Sequence, residues 1–261
     1  VSARLAGALG ARRVSTGEAQ RAIAAQRGIS TLELNRLAEL DPTIDNEIDG
    51  VFRALAASPE PVVVDSRLAW HFLPASFKVH LVVDPGVGAS RVLHRTGHRA
   101  EHYESVDHAL AGTGERVESE RRRFLQTYGV DIFRLVNYDL VVDTTEAPPV
   151  AVADAVLARY AGTAPLVGRP ALLLAPRRVR GADEGDDGDT VGGAAGADDR
   201  LGALVDEIRH HGFTRLEPVV VDYRRPAFSV VHGRRRLRAA VWCAEPLVPA
   251  VLRDGAAPRP S

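Results

Sequence analysis

Three short runs of apolar residues, separated by stretches with helical spacing, constrain the fold more than any other feature of this 261-residue sequence. Each run is apolar almost throughout, as in a strand that is covered on both faces. Strands that alternate with helices along a chain form a parallel sheet with helices on both faces. The pattern therefore predicts an α/β fold with buried strands at residues 61–65, 77–83 and 138–143.

The segments around these runs have the periodicity of amphipathic helices. Helices are predicted at residues 16–27, 32–40, 47–57, 86–95, 103–128 and 150–160. The segment 181–199 consists mostly of Gly, Ala and Asp, so it cannot bury enough apolar surface to offset the entropy of ordering. We expect a disordered acidic linker or loop there.

A second pattern of strands and helices follows this segment. A helix is predicted at 201–210, strands at 218–221 and 228–231, and a basic helix at 234–242. The apolar run Leu172 to Leu174 is assigned to the same unit. The sequence thus predicts two domains, at residues 1–163 and 169–261.

The composition excludes several classes of function. A formal net charge of −1 gives no overall attraction to nucleic acid or to a membrane. No apolar run approaches the roughly 20 residues that a membrane span needs. The single cysteine, Cys243, allows no intramolecular disulfide. We therefore expect a cytoplasmic protein, and the Ala-, Arg- and Gly-rich composition suggests a bacterial one.

Polar residues at the starts of predicted helices are the first candidates for a binding site. Ser15-Thr-Gly-Glu has the pattern of a capping box, and Arg21 lies about one and a half turns further along the same helix. Arg67 follows the strand 61–65 at its carboxyl end, where ligands bind in open α/β sheets. Each arginine is either a solvated surface residue or a ligand of an acceptor phosphate, since a guanidinium binds two phosphate oxygens at once.

A third group of arginines crowds the predicted helix at 103–128. This group consists of Arg116, Arg121, Arg122 and Arg123. One interpretation is an exposed helix with ion pairs to Glu118 and Glu120. The other is a mobile set of positive charges that neutralises two phosphoryl groups as they meet.

Taken in order, five segments resemble the archaeal-type cytidylate kinases of the nucleoside monophosphate kinase family. The segments are S-T-G-E-x-x-R, A-E-L-D-P-T-I-D-N-E-I-D, D-S-R-L-A, R-R-F-L-Q-T-Y-G-V-D-I and Y-D-L-V-V-D-T. The resemblance covers residues 1–160 and implies a P-loop-kinase-like parallel sheet. It also implies transfer of the γ-phosphate of ATP to CMP or dCMP with Mg²⁺, so that nucleotides are the expected partners.

The resemblance assigns two sets of residues in this chain. The set that holds or lines the site of the monophosphate acceptor is Ser15, Arg21, Asp41, Asp45 and Arg67. The set that forms the catalytic lid is Arg116, Arg122 and Arg123. No protein ligand to a metal is assigned.

The sequence departs from the family pattern in one respect. Family members begin with a strand and a Gly-rich loop whose backbone N–H groups and lysine bind the phosphates of the donor. No G-x-x-x-x-G-K-S/T segment occurs in these residues, and the only lysine, Lys78, lies in a predicted strand. We therefore expect an amino-terminally truncated kinase that lacks the first strand and has doubtful activity.

Two alternatives to a cytidylate kinase stay open at this point. One is a catalytically inactive protein that binds nucleotides or acts as a regulator. The other is a kinase of a small metabolite, since a fold does not fix the acceptor.

The basic segment near the carboxyl end supports a second resemblance. Gly233 precedes a helix that begins with arginines, an arrangement that suits an anion and that also occurs on plain basic surfaces. Residues 169–252 resemble the amino-terminal domain of ParB-type partition proteins, a small α+β domain that shares its fold with sulfiredoxin. This resemblance implies a phosphate or nucleotide site, with DNA-backbone contact as a further possibility. Its residues would be Gly233, Arg235, Arg236 and Arg238.

Overall fold

The computed structural model describes residues 1–40, 50, 52–94, 103–162, 170–181 and 194–253. Asp41 and Asp45, two of the predicted acceptor residues, lie outside these ranges. The described residues form a mixed α/β structure with parallel strand pairs and packed helices, as predicted. They divide into two compact units.

The first unit comprises Val1–Phe77, Val83–Asn137 and Ala153–Leu157. Its complete elements are α1 (Ser2–Leu9), β1 (Arg12–Ser15), α2 (Thr16–Gln26), α3 (Thr31–Leu40), β2 (Val62–Asp65), α4 (Ala69–Phe72), α5 (Pro85–Leu93) and α6 (Val106–Tyr128). Residues 52–57 are also helical. The predicted helices at 16–27, 32–40, 86–95 and 103–128 are therefore confirmed, with small differences at their ends.

The core of the first unit fixes the carboxyl ends of β1 and β2 against α6. Phe52 of the helical segment 52–57, Leu68 of the loop after β2 and Phe124 of α6 belong to one buried cluster. Val14 and Val64, from the two strands, pack against it. Burial of each large side chain of this kind stabilises the fold by roughly 1.5–3 kcal/mol. The loop after β2 and the second half of α6 are thereby held together.

The second unit comprises Lys78–Val82, Tyr138–Val152 and Ala158–Ser261. It contains a seven-stranded mixed sheet with the strand order β3-β4-β5-β9-β7-β8-β6. The strands and the helices that follow or join them are β3 (Val79–Val82), β4 (Leu140–Asp143), α7 (Pro149–Gly162), β5 (Ala171–Leu174), β6 (Val179–Arg180), α8 (Ala194–His211), β7 (Val219–Arg224), β8 (Ala227–His232), α9 (Arg234–Trp242) and β9 (Val248–Leu252). Short 3-10 helices lie at Leu135–Asn137 and Pro176–Arg178.

The strands expected in one parallel sheet are found in two sheets. β2 pairs in parallel with β1, whereas β3 and β4 pair in parallel with each other and continue into β5. All four residues of β4 are buried, because this strand is paired along both edges. The apolar run at 138–143 therefore predicted a central strand, but it did not encode the neighbours of that strand.

The start of the helix in the second half differs from the prediction. α8 begins at Ala194 and not at residue 201. Alanine has the highest helix propensity, so the Ala-containing segment before Leu201 extends a helix that is anchored further on. The anchor is the packing of Leu201, Val205 and Ile208 against Ala239 of α9. The acidic residues 183–189 of the predicted linker lie outside the described ranges.

Among the described residues, none of the helices combines the length and the apolar character that crossing a membrane requires.

Candidate functional site

The carboxyl ends of β1 and β2 form a polar junction. Ser15 lies opposite Asp65 in the parallel register. Ser15 also caps α2, since its Oγ accepts a hydrogen bond from the N–H of Glu18 at 3.3 Å. Thr16 Oγ1 donates to the carbonyl oxygen of Asp65 at 3.5 Å. The first turn of α2 is thereby attached to the end of β2.

The side chain of Arg21 lies against this first turn. A Cβ placed on Gly17 would be 3.4 Å from Arg21 Nη1 and 4.0 Å from Ser15 Oγ. Within the described ranges, no hydrogen bond or ion pair involves the guanidinium of Arg21. A positive charge and a hydroxyl thus lie beside the positive end of a helix, around a residue that has no side chain. An anion is the ligand that this combination suits.

The carboxylates of the junction have positive or hydroxyl partners. Arg13 donates to Glu18 through two nitrogens, with Nη2–Oε1 at 2.6 Å and Nη1–Oε2 at 3.2 Å. The hydrogen bond to Glu18 raises the pKa of Arg13 above its usual value. Asp65 Oδ2 accepts from Ser2 Oγ at 3.0 Å and lies 3.9 Å from Arg13 Nη2. Arg13 and Ser2 thereby offset the negative charges of Glu18 and Asp65, the carboxylates of the junction.

Arg67 follows β2 and forms an ion pair with Glu120 of α6. The side chain of Arg67 is 40% exposed, whereas that of Glu120 is only 5% exposed. The loop is held by Ser66 Oγ, which accepts from the N–H groups of Leu68 and Ala69 at 3.2 and 3.3 Å. The indole N–H of Trp70 donates to the carbonyl oxygen of Arg67 at 3.0 Å. Arg67 therefore has a fixed backbone and a fixed partner.

The three predicted lid arginines occupy different positions on α6. Arg116 and Arg123 lie on the same helix face as Glu120, four residues before it and three after it. Arg123 is buried, and its guanidinium carbon lies 5.2 Å from the centroid of the Phe124 ring. Arg122 is exposed on the adjacent face. The structure thus groups Arg116 and Arg123 with Glu120 and separates Arg122 from them.

Arg121 has a structural role. Its Nη2 lies 2.9 Å from Asp131 Oδ2, and its Nε donates to both carboxylate oxygens at 3.3 Å. The hydrogen bonds that Arg121 donates to Asp131 raise the pKa of Arg121. Asp131 Oδ1 also accepts from the N–H of Phe133 at 3.0 Å. The Y-G-V-D block is thereby fastened to α6.

Glu120 is the residue of this region that the sequence pattern did not single out. An exposed ion pair was one of the two interpretations of its spacing to the arginines of α6, but Glu120 is buried. Phe124 follows it by four positions, so Glu120 lies on the stripe of α6 that faces the core. That spacing is the one signal in the sequence that indicates its burial.

In the second unit, the predicted phosphate residues surround the start of α9. Gly233 has a φ of 92°, and no side chain caps the helix. A Cβ on Gly233 would lie 2.9 Å from Arg236 Nη2. Arg236 Nη1 donates to the carbonyl oxygens of Glu217 and, at 3.1 Å, of Pro218. The structure therefore brings Gly233 and Arg236 together and uses Arg236 to hold the segment before β7.

The other two arginines of this set lie towards solvent. Arg238 is exposed and Arg235 is half-buried. The helical spacing places both on the face opposite Leu237 and Ala240, which are fully buried. This face carries positive charge beside the uncapped N–H groups of α9.

A buried ion pair lies at the carboxyl end of β4. Asp143 is fully buried, and its Oδ2 accepts from Arg178 Nη1 at 2.9 Å. Its Oδ1 accepts from the N–H and Oγ1 of Thr145 at 2.9 and 2.6 Å. Because both carboxylate oxygens have donors, this pair is a structural link between β4 and the segment that follows β5.

The described residues show no site for the phosphates of a nucleoside triphosphate with its metal. In the parts of the chain that the structure describes, no three His, Cys, Asp or Glu side chains converge in a way that could hold a metal ion. The sequence also has no G-x-x-x-x-G-K-S/T segment. No described residue is therefore assigned to the donor's phosphates or to Mg²⁺.

Comparisons with known proteins confirm both resemblances. The chain is 42% identical over 136 residues to a cytidylate kinase of Methanothrix thermoacetophila, which is 52% of this chain and 75% of that one. It is 35% identical over 144 residues to a cytidylate kinase of Methanobrevibacter smithii, covering 55% and 80% of the two chains. It is 34% identical over 148 residues to an S-adenosylmethionine-dependent nucleotide dehydratase of Lacinutrix mariniflava, covering 56% and 30%. Residues 195–259 match the family described as ParB N-terminal domain.

Proposed function

This chain belongs to the cytidylate kinase family over about half of its length, and from that premise we propose that its first unit binds a nucleoside monophosphate, CMP or dCMP, as acceptor of the γ-phosphate of ATP. Mg²⁺ would accompany the donor. The names of the three relatives described above support a nucleotide as the acceptor, since two are cytidylate kinases and one is a nucleotide dehydratase.

The observation that carries the proposal is the position of Arg21 beside Ser15 and Gly17. The guanidinium has no counter-charge within the described ranges, and at Gly17 no side chain separates it from the Ser15 hydroxyl. Arg67 emerges from the neighbouring strand end. Two guanidinium groups can together bind the oxygens of one phosphate, here one from α2 and one from the loop after β2.

The remaining residues complete an acceptor site. Arg116 and Arg123 would neutralise the negative charge that develops on the transferred group, and electrostatic stabilisation of this kind carries most of the catalysis of phosphoryl transfer. Arg122 completes the proposed lid from its exposed position. Asp41 and Asp45 remain proposed pocket residues outside the described ranges.

The test is calorimetric binding of CMP, dCMP, UMP, AMP and GMP, with variants of the two acceptor arginines. Arg21→Ala and Arg67→Ala should each weaken binding of the preferred monophosphate by roughly 10- to 100-fold, the range for a hydrogen bond to a charged group. Arg27→Ala is the matched control, since Arg27 is exposed at the end of the same helix as Arg21. Its affinity should equal that of the wild type.

Turnover is measured with ATP and Mg²⁺ for the wild type and the same variants. Binding of no monophosphate, or binding that is unchanged in both variants, would overturn the proposed site. If the protein phosphorylates a small metabolite with ATP and is inactive on every monophosphate, that metabolite, and not CMP or dCMP, is the acceptor.

A second function is proposed for the second unit. We infer that the start of α9 binds a phosphate group of a nucleotide or of a DNA backbone, with Gly233, Arg235 and Arg238 as its contacts and Arg236 as the side chain that holds the turn. The match to the ParB N-terminal domain and the uncapped, positively charged helix start support this inference.

A further inference from the structure

Glu120 is a carboxylate that the proposed reaction does not explain. It is one of the few charged residues that are buried in the described structure, with 4% of its surface exposed. A buried carboxylate is costly unless positive partners compensate it. Its partner across the fold is Arg67, and Arg116 and Arg123 flank it along α6.

The pair joins a long arginine side chain from a loop to a carboxylate that a helix holds in place. Arg67 lies in the loop after β2, and its side chain is 40% exposed. An arginine side chain without a fixed partner at this position would populate many rotamers. Glu120 belongs to the middle of a 23-residue helix whose second half is packed into the core. A contact between the two therefore orders Arg67 and leaves Glu120 where the helix puts it.

The planar guanidinium allows such a contact without loss of ligand binding. Its five N–H donors point in several directions in one plane, so one part can be held by a carboxylate while another part binds a phosphate. Arg67 lies two residues after the end of β2, which is paired with the end of β1, and 40% of its side chain stays exposed beside the contact with Glu120. A carboxylate behind an arginine also keeps the guanidinium in place after the anion leaves.

We propose that Glu120 is a positioning residue that fixes the guanidinium of Arg67 for binding of an acceptor's phosphate. This inference rests on the proposed function, because it assumes that Arg67 contacts a phosphate. It goes beyond that function by proposing that the carboxylate of Glu120, on α6, sets the orientation of Arg67.

The experiment follows the Arg67 guanidinium directly. In ¹H–¹⁵N spectra of the arginine Nε–H groups, the Arg67 signal is assigned by its absence in Arg67→Lys. Inorganic phosphate, CMP and dCMP are then titrated into the wild type, Glu120→Gln, Glu120→Asp and Glu118→Gln. Glu118→Gln is the matched control, because Glu118 is on the same helix but is 43% exposed and lies 3.8 Å from Arg121.

We expect a dispersed Arg67 signal in the wild type that shifts with phosphate. In Glu120→Gln the signal should move to the position of unrestrained arginines, and the phosphate affinity should fall by about tenfold, as for loss of one charged interaction. Glu120→Asp keeps the charge and should restore part of the signal and of the affinity. Glu118→Gln should match the wild type. Melting temperatures show whether each variant is folded. If Glu120→Gln does not fold, the Arg67 signal and the phosphate affinity of Glu120→Asp test the role of Glu120 instead.

Two outcomes would overturn the inference. One is a dispersed, phosphate-responsive Arg67 signal that is the same in Glu120→Gln and in the wild type. The other is a wild-type Arg67 signal that does not respond to inorganic phosphate at all. A response to inorganic phosphate without a response to any nucleoside monophosphate would instead overturn the proposed function, and the comparison of Glu120→Gln with wild type would still decide the role of Glu120.

Discussion

His80 of β3 is an imidazole whose protonation the fold opposes. Its ring stacks on that of Tyr138, with centroids 4.5 Å apart and an angle of 17° between the planes. Burial lowers the pKa of His80 from 6.5 to about 4. The folded protein therefore holds the neutral form at pH values where the unfolded chain is already protonated.

The sign of the resulting pH dependence follows from this difference. Above about pH 6.5 the histidine is neutral in both states, and its contribution to stability is fully present. As the pH falls towards 4, the unfolded state binds the proton first, and the free energy of unfolding should decrease by at most about 3 kcal/mol. Urea unfolding at pH values of about 7, 5.5 and 4 measures this decrease.

His80→Phe is the variant that isolates this effect, since it keeps an aromatic ring on Tyr138 and removes the titrating group. Its stability should fall less steeply between about pH 6.5 and 4 than that of the wild type. Equal slopes in the two proteins would show that protonation of His80 does not contribute.

At the scale of single residues, local patterns predicted those contacts that are local in sequence. The cap formed by Ser15 and Glu18 lies within four consecutive residues, and the sequence predicted it. The ion pair between Glu120 and Arg67 joins residues that are distant along the chain, so the pattern around Glu120 did not indicate this partner. The contact of Arg236 with the segment before β7 was not predicted for the same reason, since its acceptors are backbone carbonyls distant along the chain.

At the scale of elements, the turn from β8 into α9 tests the proposed phosphate site of the second unit. Arg235→Ala should weaken binding of a nucleotide or of short duplex DNA by roughly 10- to 100-fold, the range for a hydrogen bond to a charged group. Calorimetry with nucleoside triphosphates and fluorescence anisotropy with labelled DNA measure the two ligands separately. For DNA, the loss should diminish as salt is raised, because part of the affinity is electrostatic.

The control for Arg235 is Arg209→Ala. Arg209 is an exposed arginine in the last turn of α8, so its removal changes the net charge equally. A loss of affinity that is equal in both variants would indicate general charge attraction, and the site at α9 would be abandoned. Unchanged binding in Arg235→Ala would have the same consequence.

Elements were easier to predict than their partners. The helices of the first unit began and ended close to the predicted residues, because capping residues and apolar spacing are local signals. The start of α8 was not predicted, because the segment before Leu201 is rich in Gly, Ala and Asp. The stability of α8 comes from its packing on α9, which this local composition does not show. The three apolar runs each formed strands, but pairing between strands depends on contacts that no run contains.

At the scale of the whole molecule, the second sheet includes strands from both predicted domains. β4 lies within residues 1–163, and its neighbour β5 lies within residues 169–261. Asp143 of β4 is compensated by Arg178, which also comes from the later part of the chain. Removing one partner of a buried ion pair costs on the order of 3–5 kcal/mol. A boundary at residue 163 therefore separates β4 from β5 and from Arg178, which both stabilise this strand.

A fragment of residues 1–163 tests this dependence. It would retain β3 and β4 without β5, Arg178 or the other strands of the sheet. We expect the amides of 79–82 and 140–143 to exchange with solvent at least about tenfold faster in the fragment than in the full chain, since a two-stranded ribbon is only marginally stable. Hydrogen exchange followed by mass spectrometry measures this, with segment 119–124 of α6 as the internal reference for the first unit, since both ends of this segment are buried. Protection of β3 and β4 equal to that in the full chain would establish residues 1–163 as an independent domain.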